Sequence, residues 1–150
     1  MLSGQKIVVV MPAYNAARTL RQTYDEVMAH GIVDRVILVD DASKDETVAM
    51  ARTLPQVQVE VHPRNRGYGA NQKTCYRLAL AAGAELVIMI HPDYQYTPAL
   101  LPAIASLAAS CPYPCGLASP LPGCRPLRAG LPWRQDGLKP LPHRTRPLDH

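Results

Sequence analysis

Residues 37–39 are apolar and run directly into two adjacent carboxylates, Asp40 and Asp41, with Ser43, Asp45, Glu46 and Thr47 close behind. Two acids at the end of a buried strand cost solvation energy unless something uses them. A carboxylate there can accept the imide N–H of a uracil or guanine base, a reason for an acid other than metal binding. The plainer alternative is a capped turn with one solvated Asp. Ser43-x-x-Glu46 has the spacing of a capping box and places a helix start near Lys44.

Three more polar segments follow apolar runs. Pro12-Ala13-Tyr14-Asn15 offers a stiff exit from a strand, an aromatic plate and an amide; Asn15 is equally suited to be a helix N-cap. The run from Arg64 through Asn65, Arg66, Gly67, Tyr68, Gly69, Ala70, Asn71 and Gln72 to Lys73 combines glycines, which permit close backbone approach, with cations suited to a diphosphate and a helix start that favours anions. It is neither a dinucleotide fingerprint, which follows the first strand, nor a Walker A loop, because the G-K-[ST] ending is missing. Its bland reading is a flexible turn with solvated arginines. His91-Pro92-Asp93 with Gln95 could hold a divalent cation, Mg²⁺ or Mn²⁺, with the imidazole favouring Mn²⁺. Alone, His91 reads equally as a hydrogen-bonded structural residue.

The elements that position these segments alternate. Residues 6–11 form an apolar, β-branched run typical of a buried parallel strand, closed by Pro12. Residues 16–30 place Leu20, Tyr24, Val27 and Met28 on one helical face, with Gly31 as stop. Strands are expected at 36–39, at 57–61 near the sheet edge, and at 86–90. Helices are expected at 44–54, ended by Pro55; at 70–82, ended by Gly83; and from Pro98 to about Ala109, with Pro102 at the limit of what a first turn allows. This β-α-β-α-β-α-β-α order predicts an α/β fold, a mostly parallel sheet with helices on both faces. In such sheets ligands bind at the carboxyl ends of the strands, where all four polar segments fall.

Composition narrows the function classes. The chain has 150 residues and is 47% hydrophobic, enough for one modest domain. Residues 1–110 carry ten Lys/Arg against ten Asp/Glu, so the net charge of +4 lies wholly in residues 111–150. That argues against a nucleic-acid face on the folded part. No signal-peptide pattern precedes the first strand, and the longest apolar run, residues 78–90, is interrupted by Glu85 and too short to span a bilayer. The expected location is cytoplasmic, with peripheral membrane contact as an option. Cys111, Cys115 and Cys124 lack a partner His at zinc spacing, and Cys75 stands apart, so neither a zinc site nor a disulfide framework is expected.

Past Ser110 the character changes. Nine of the last forty residues are Pro, periodicity disappears, and an irregular or disordered Pro/Arg-rich tail is expected over 111–150. Its wealth of Pro, Arg, Leu and Gly fits a frameshift or truncation scar; a genuine Pro-rich extension is the alternative.

Together the four segments, VVVMPAYNAARTL, ILVDDASKDET, NRGYGANQK and IMIHPDYQYTP, resemble family 2 of the glycosyltransferases, of the inverting GT-A type, nearest its polyprenyl-phosphate (dolichol-phosphate) mannosyl or glucosyl transferase branch. The resemblance covers about residues 5–109. It implies that Pro12, Ala13, Tyr14, Asn15 and Asp41, with Asp40 beside it, bind the nucleotide of a UDP- or GDP-sugar donor. It puts Arg64, Asn65, Gly67, Gly69 and Lys73 near the diphosphate, and Asp93, with His91 and Gln95, at the divalent cation. Two departures stand out. His91 replaces the first Asp of the family's Asp-x-Asp signature. The acceptor half, which carries the general base, is not recognisable after the signature strand, so no catalytic residue is assigned. The expectation is a C-terminally truncated donor half with little or no transferase activity alone, its acceptor a group such as polyprenyl phosphate. A non-catalytic nucleotide-sugar-binding or regulatory module working with a partner chain is the runner-up. A nucleotidyltransferase, which would want a Gly-rich basic loop directly after the first strand, ranks below both.

Overall fold

A computed structural model describes residues 4–94 and 97–110. Four strands, β1 (Ile7–Ala13), β2 (Arg35–Asp40), β3 (Val57–Val61) and β4 (Leu86–Met89), form one sheet in the order β3-β2-β1-β4. All three pairings are parallel. Helices α1 (Ala17–Ala29), α2 (Thr47–Thr53), α3 (Tyr68–Ala81) and α4 (Leu101–Ser110) connect and cover them, with a short 3-10 turn at Pro98–Leu100 ahead of α4. The α/β architecture with a parallel sheet is the one the residue pattern predicts, and β3 is the expected edge.

Strand alternation sorts the core into two layers. Ile7, Val9, Met11, Val36 and Leu38 face Leu20, Tyr24 and Val27 of α1 and Leu101 and Ala105 of α4. Val8, Val10, Ile37 and Val39 face Cys75 and Ala79 of α3. Helices therefore lie on both faces. β1 and β2 are buried almost end to end, each Val or Ile contributing about 1.5–3 kcal/mol. The small side chains on the inner face of α3 let that helix sit close to the two central strands. Gly31 and Gly83 take positive φ directly after α1 and α3, as helix-ending glycines do.

Three local expectations are corrected. Pro12 does not end β1; it pairs in register with Val39. The Ala13 carbonyl accepts the Asp41 N–H on the β2 side, so the Pro12 nitrogen faces the β4 side, where β4 has already ended at Met89. A proline costs no ladder bond there. The capping box at Ser43 does not form: α2 begins only at Thr47, with Glu46 as N-cap and no side-chain cap bond. The Ser43 hydroxyl and N–H both go to the Asp40 carboxylate instead. Finally, α3 starts at Tyr68, so Gly69 lies within its first turn and not in a loop. The tail expected over 111–150, with Cys111, Cys115 and Cys124, lies outside the described residues, as does Gln95.

Candidate functional site

β1, β2 and β3 are laid down outward in one direction, and β4 then crosses to the other side of β1. That reversal opens a crevice at the carboxyl ends of β1 and β4, the place where open α/β sheets take ligands. A cleft of about 330 Å³ lies there. Its walls come from four elements: Pro12, Ala13 and Tyr14 from the end of β1, Asp41 after β2, Asn65 and Gly67 ahead of α3, and His91 and Asp93 after β4.

The two acids have separate roles, and the pleat decides which takes which. Asp40 continues the Val36–Leu38 side of β2 and is fully buried, its carboxylate closed by the N–H and hydroxyl of Ser43. It does not line the cleft. Asp41 continues the Ile37–Val39 side, which faces α3. It is 3% exposed and lines the cleft. Its Oδ1 takes the His62 ring at 2.7 Å and the Arg66 N–H at 2.9 Å, and its Oδ2 takes the Gly67 N–H at 2.8 Å. Burial pushes the Asp41 carboxyl up, but the bond from the His62 ring, the two backbone N–H bonds and the attraction to His62 outweigh it, holding the group below its ordinary 3.8.

His62 is the residue that sequence reasoning missed. It sits at the end of β3, 5% exposed, with Nδ1 on Asp41 and Nε2 3.0 Å from the Thr74 hydroxyl of α3. Its signal was a polar ring at the carboxyl end of an edge strand beside the strand that bears the acids. Asn71 was read only as one member of the Arg64–Lys73 run. It is buried in the first turns of α3, and its amide donates to the Val39 carbonyl at 2.9 Å, fastening the helix to the end of β2.

Gly67 has φ 82° and ψ 162°, a conformation open in practice to glycine alone. No atom lies within 4 Å of where a Cβ would stand on Gly67 or Gly69, so the glycines leave open space at the head of α3. Gly67 also donates to the Asn65 side-chain carbonyl at 3.0 Å. Of the five residues expected near a diphosphate, Asn65 and Gly67 line the cleft. Arg64, Gly69 and Lys73 do not.

Tyr14 is half exposed on the cleft wall. Asn15 neither lines the cleft nor caps α1, whose N-cap is Ala16. With φ 50° it turns its carboxamide to accept the Lys44 N–H at 2.9 Å, while its own N–H goes to the Ser43 hydroxyl at 2.8 Å. The N–H groups at the head of α1 are satisfied from the start of α2 and the segment before it: Ala16 donates to Thr47 Oγ1 and Ala17 to Asp45. The loops after β1 and β2 are thus locked together beside the cleft.

On the opposite wall, the His91 ring stacks on Tyr68 with centroids 5.4 Å apart, and Nε2 lies 3.0 Å from the Tyr68 hydroxyl. Gln72 donates to that hydroxyl at 2.6 Å. The Pro92 carbonyl accepts from Thr19 of α1 at 2.6 Å, which fixes the 91–93 segment against the body of the domain. His91 and Asp93 flank Pro92, and both line the cleft. No cluster of three or more His, Cys, Asp or Glu that could hold a metal ion exists among the described residues. His91 and Asp93 put an imidazole and a carboxylate on the cleft wall, the carboxylate being the donor type that Mg²⁺ or Mn²⁺ prefers.

Fold and cleft together define a GT-A-type domain, the sheet-and-crevice architecture of sugar-nucleotide transferases. The chain belongs to glycosyl transferase family 2, whose sequence profile matches residues 8–116. It is 25% identical over 113 residues to the UDP-N-acetylglucosamine–dolichyl-phosphate N-acetylglucosaminyltransferase of Methanococcus voltae, covering 65% of this chain and 45% of that protein. An uncharacterised protein of Methanocaldococcus jannaschii is 30% identical over 97 residues, covering 65% of this chain and 39% of its own length. In fold, the chain is similar to glucosyl-3-phosphoglycerate synthase of Mycobacterium tuberculosis, solved with Mn²⁺, UDP and glucosyl-3-phosphoglycerate. The TM-score is 0.58 at 24% identity, covering 72% of this chain and 41% of that one. It is also similar to a mannosyltransferase of Pyrobaculum calidifontis solved with GDP-mannose and Mn²⁺, with TM-score 0.57 and 24% identity over 69% of this chain and 32% of that one. The chain thus spans less than half the length of each relative. No helix among the described residues is long and apolar enough to cross a membrane.

Proposed function

We propose that residues 1–110 form the donor-binding unit of a glycosyltransferase, holding a UDP- or GDP-sugar for inverting transfer to an acceptor such as polyprenyl phosphate at a membrane surface. The observation that carries this reading is Asp41, a buried carboxylate held by three N–H donors and still open to a cleft at the strand ends.

Each wall then has a task. Asp41 accepts an N–H from the base, and Tyr14 offers it a ring face. The sequence Asn65-Arg66-Gly67 brings backbone close to the donor, and the N-terminus of α3 favours the negative diphosphate. Asp93 and His91 would hold a divalent cation, which supplies charge neutralisation to the departing diphosphate. Arg64 and Lys73, outside the cleft wall, add a positive field around its mouth. The reaction is a direct displacement at the anomeric carbon by a base-activated acceptor. None of the described carboxylates is assigned as that base. A unit without that base lacks positioning worth several kcal/mol, so residues 1–110 alone should transfer sugar slowly or not at all.

Calorimetric titration of UDP and GDP into the chain, with and without Mn²⁺ and beside Asp41→Ala, tests the reading. Metal-dependent binding that disappears in the variant supports it. Absence of binding by either nucleotide would sink it.

A further inference from the structure

Asp41 also restricts which base can be read. A carboxylate has about four lone-pair positions. Among the described residues, three are taken: two on Oδ1, by His62 and Arg66, and one on Oδ2, by Gly67. One acceptor position is left, on Oδ2, for whatever enters the cleft. Guanine presents two neighbouring donors, its ring N–H and its amino group, and meets a carboxylate best through both oxygens at once. Oδ1 cannot take part in such a fork while His62 and Arg66 occupy it. Uracil presents a single imide N–H between two carbonyls, which a single lone pair satisfies. Cytosine has an acceptor at that ring position and would meet the carboxylate with like polarity. Asn65 suits the uracil carbonyls: its side-chain oxygen is held by the Gly67 N–H, which leaves its NH₂ as the group to donate.

We infer that this cleft selects a uracil nucleotide over a guanine or cytosine nucleotide, and that His62 sets the selection by occupying one oxygen of Asp41. The inference rests on the donor-binding reading and narrows it to one base. His62 acts through Asp41 and is a positioning residue: its ring is fixed at the far side by Thr74, whose hydroxyl lies 3.0 Å from Nε2. A guanine bound here would bury one N–H with no acceptor, a loss of roughly ten- to a hundredfold in affinity.

The test is competition among UDP, GDP and CDP for the intact chain in Mn²⁺, followed by calorimetry. The expected result is UDP tighter than GDP and CDP by about tenfold or more. GDP binding as tightly as UDP, or more so, overturns this inference and leaves the donor-binding reading standing. Binding of none of the three overturns both. In His62→Leu the second lone pair of Oδ1 is released, and the UDP-to-GDP ratio should fall at least about threefold; His62→Asn, which keeps a donor near the Nδ1 position, should restore it. A purely structural role would weaken both nucleotides alike, so an unchanged ratio removes His62 from the selection. If the leucine variant does not fold, the wild-type ratio decides alone.

Discussion

The Nδ1 of His62 lies 2.7 Å from Oδ1 of Asp41, a buried contact between the ends of neighbouring strands β3 and β2. The Thr74 hydroxyl of α3 holds the other ring nitrogen. Sheet, edge strand and helix therefore meet at one carboxylate, and the same carboxylate lines the cleft. Stability and the proposed ligand recognition share this group.

Replacing Asp41 by Ala should cost both properties. The His62 ring and the Arg66 N–H would lose their acceptor inside the protein, while the Gly67 N–H would keep the Asn65 carbonyl, an expected loss of about 3 kcal/mol. Urea unfolding measures it. A loss under about 0.5 kcal/mol would show that these two donors find water without penalty.

The depressed titration of Asp41 makes stability depend on pH with a defined sign. The folded group ionises below its ordinary 3.8, so the unfolded chain binds more protons between the two values. The contribution is present in full above the unfolded value and is lost as pH falls through the folded one. Asp45 is depressed likewise, with burial opposing and the Thr47 hydroxyl and the Ala17 and Thr47 N–H groups prevailing. Urea midpoints of the wild type should drop as pH is lowered from 5 to 3. The drop should be smaller in Asp41→Asn; parallel curves would refute the linkage.

Gly67→Ala places a Cβ at φ 82°, ψ 162°. The space around it is empty, so the cost is backbone strain alone, about 1–3 kcal/mol. Gly69→Ala, inside α3, should instead be neutral or stabilising by up to about 1 kcal/mol. Comparing the two melting curves checks the assignment of Gly69 to the helix.

Thr19 anchors the Pro92 carbonyl between His91 and Asp93. Thr19→Val should raise the Mn²⁺ concentration for half-maximal nucleotide binding by about fivefold, the equivalent of one hydrogen bond. Nucleotide affinity at saturating metal should change less. An equal effect at all metal concentrations would assign Thr19 to general stability.

Burial pushes the Cys75 thiol up to about 12. It should resist iodoacetamide in the folded protein and react at the rate of unfolding. Peptide mapping after labelling isolates this site from the other three cysteines, and fast labelling of Cys75 in native buffer would contradict the buried α3 face.

Much of this was legible in the residues. β-branched runs located all four strands, and Gly31, Gly83 and Pro55 marked helix ends, because these signals act within a few residues. Asp41 was legible as an acid that needed a use. What escaped were side-chain hydrogen bonds, most of them between segments distant in sequence. Ser43 reads as a cap until Asp40 is seen folded back onto it. Ala17 reads as uncapped until Asp45 arrives from the segment before α2. His62 had no local role at all, since both its partners come from other elements. Local propensity places the frame; polar satisfaction across the frame settles which side chains are left for a ligand.

The separation of Asp40 from Asp41 by the pleat of β2 has a consequence for how this sequence can change over time. Inserting or deleting one residue in the strand would leave both acids present and exchange their destinies. The acid now gripped by Ser43 would turn toward α3, and the one now facing the cleft would be shut away. Such a lineage would keep an acidic pair in any comparison of letters while losing the recognition of a base proposed for Asp41. Substitutions along β2 are open to gradual drift, but its length is not, and indels there should be tolerated only in even numbers.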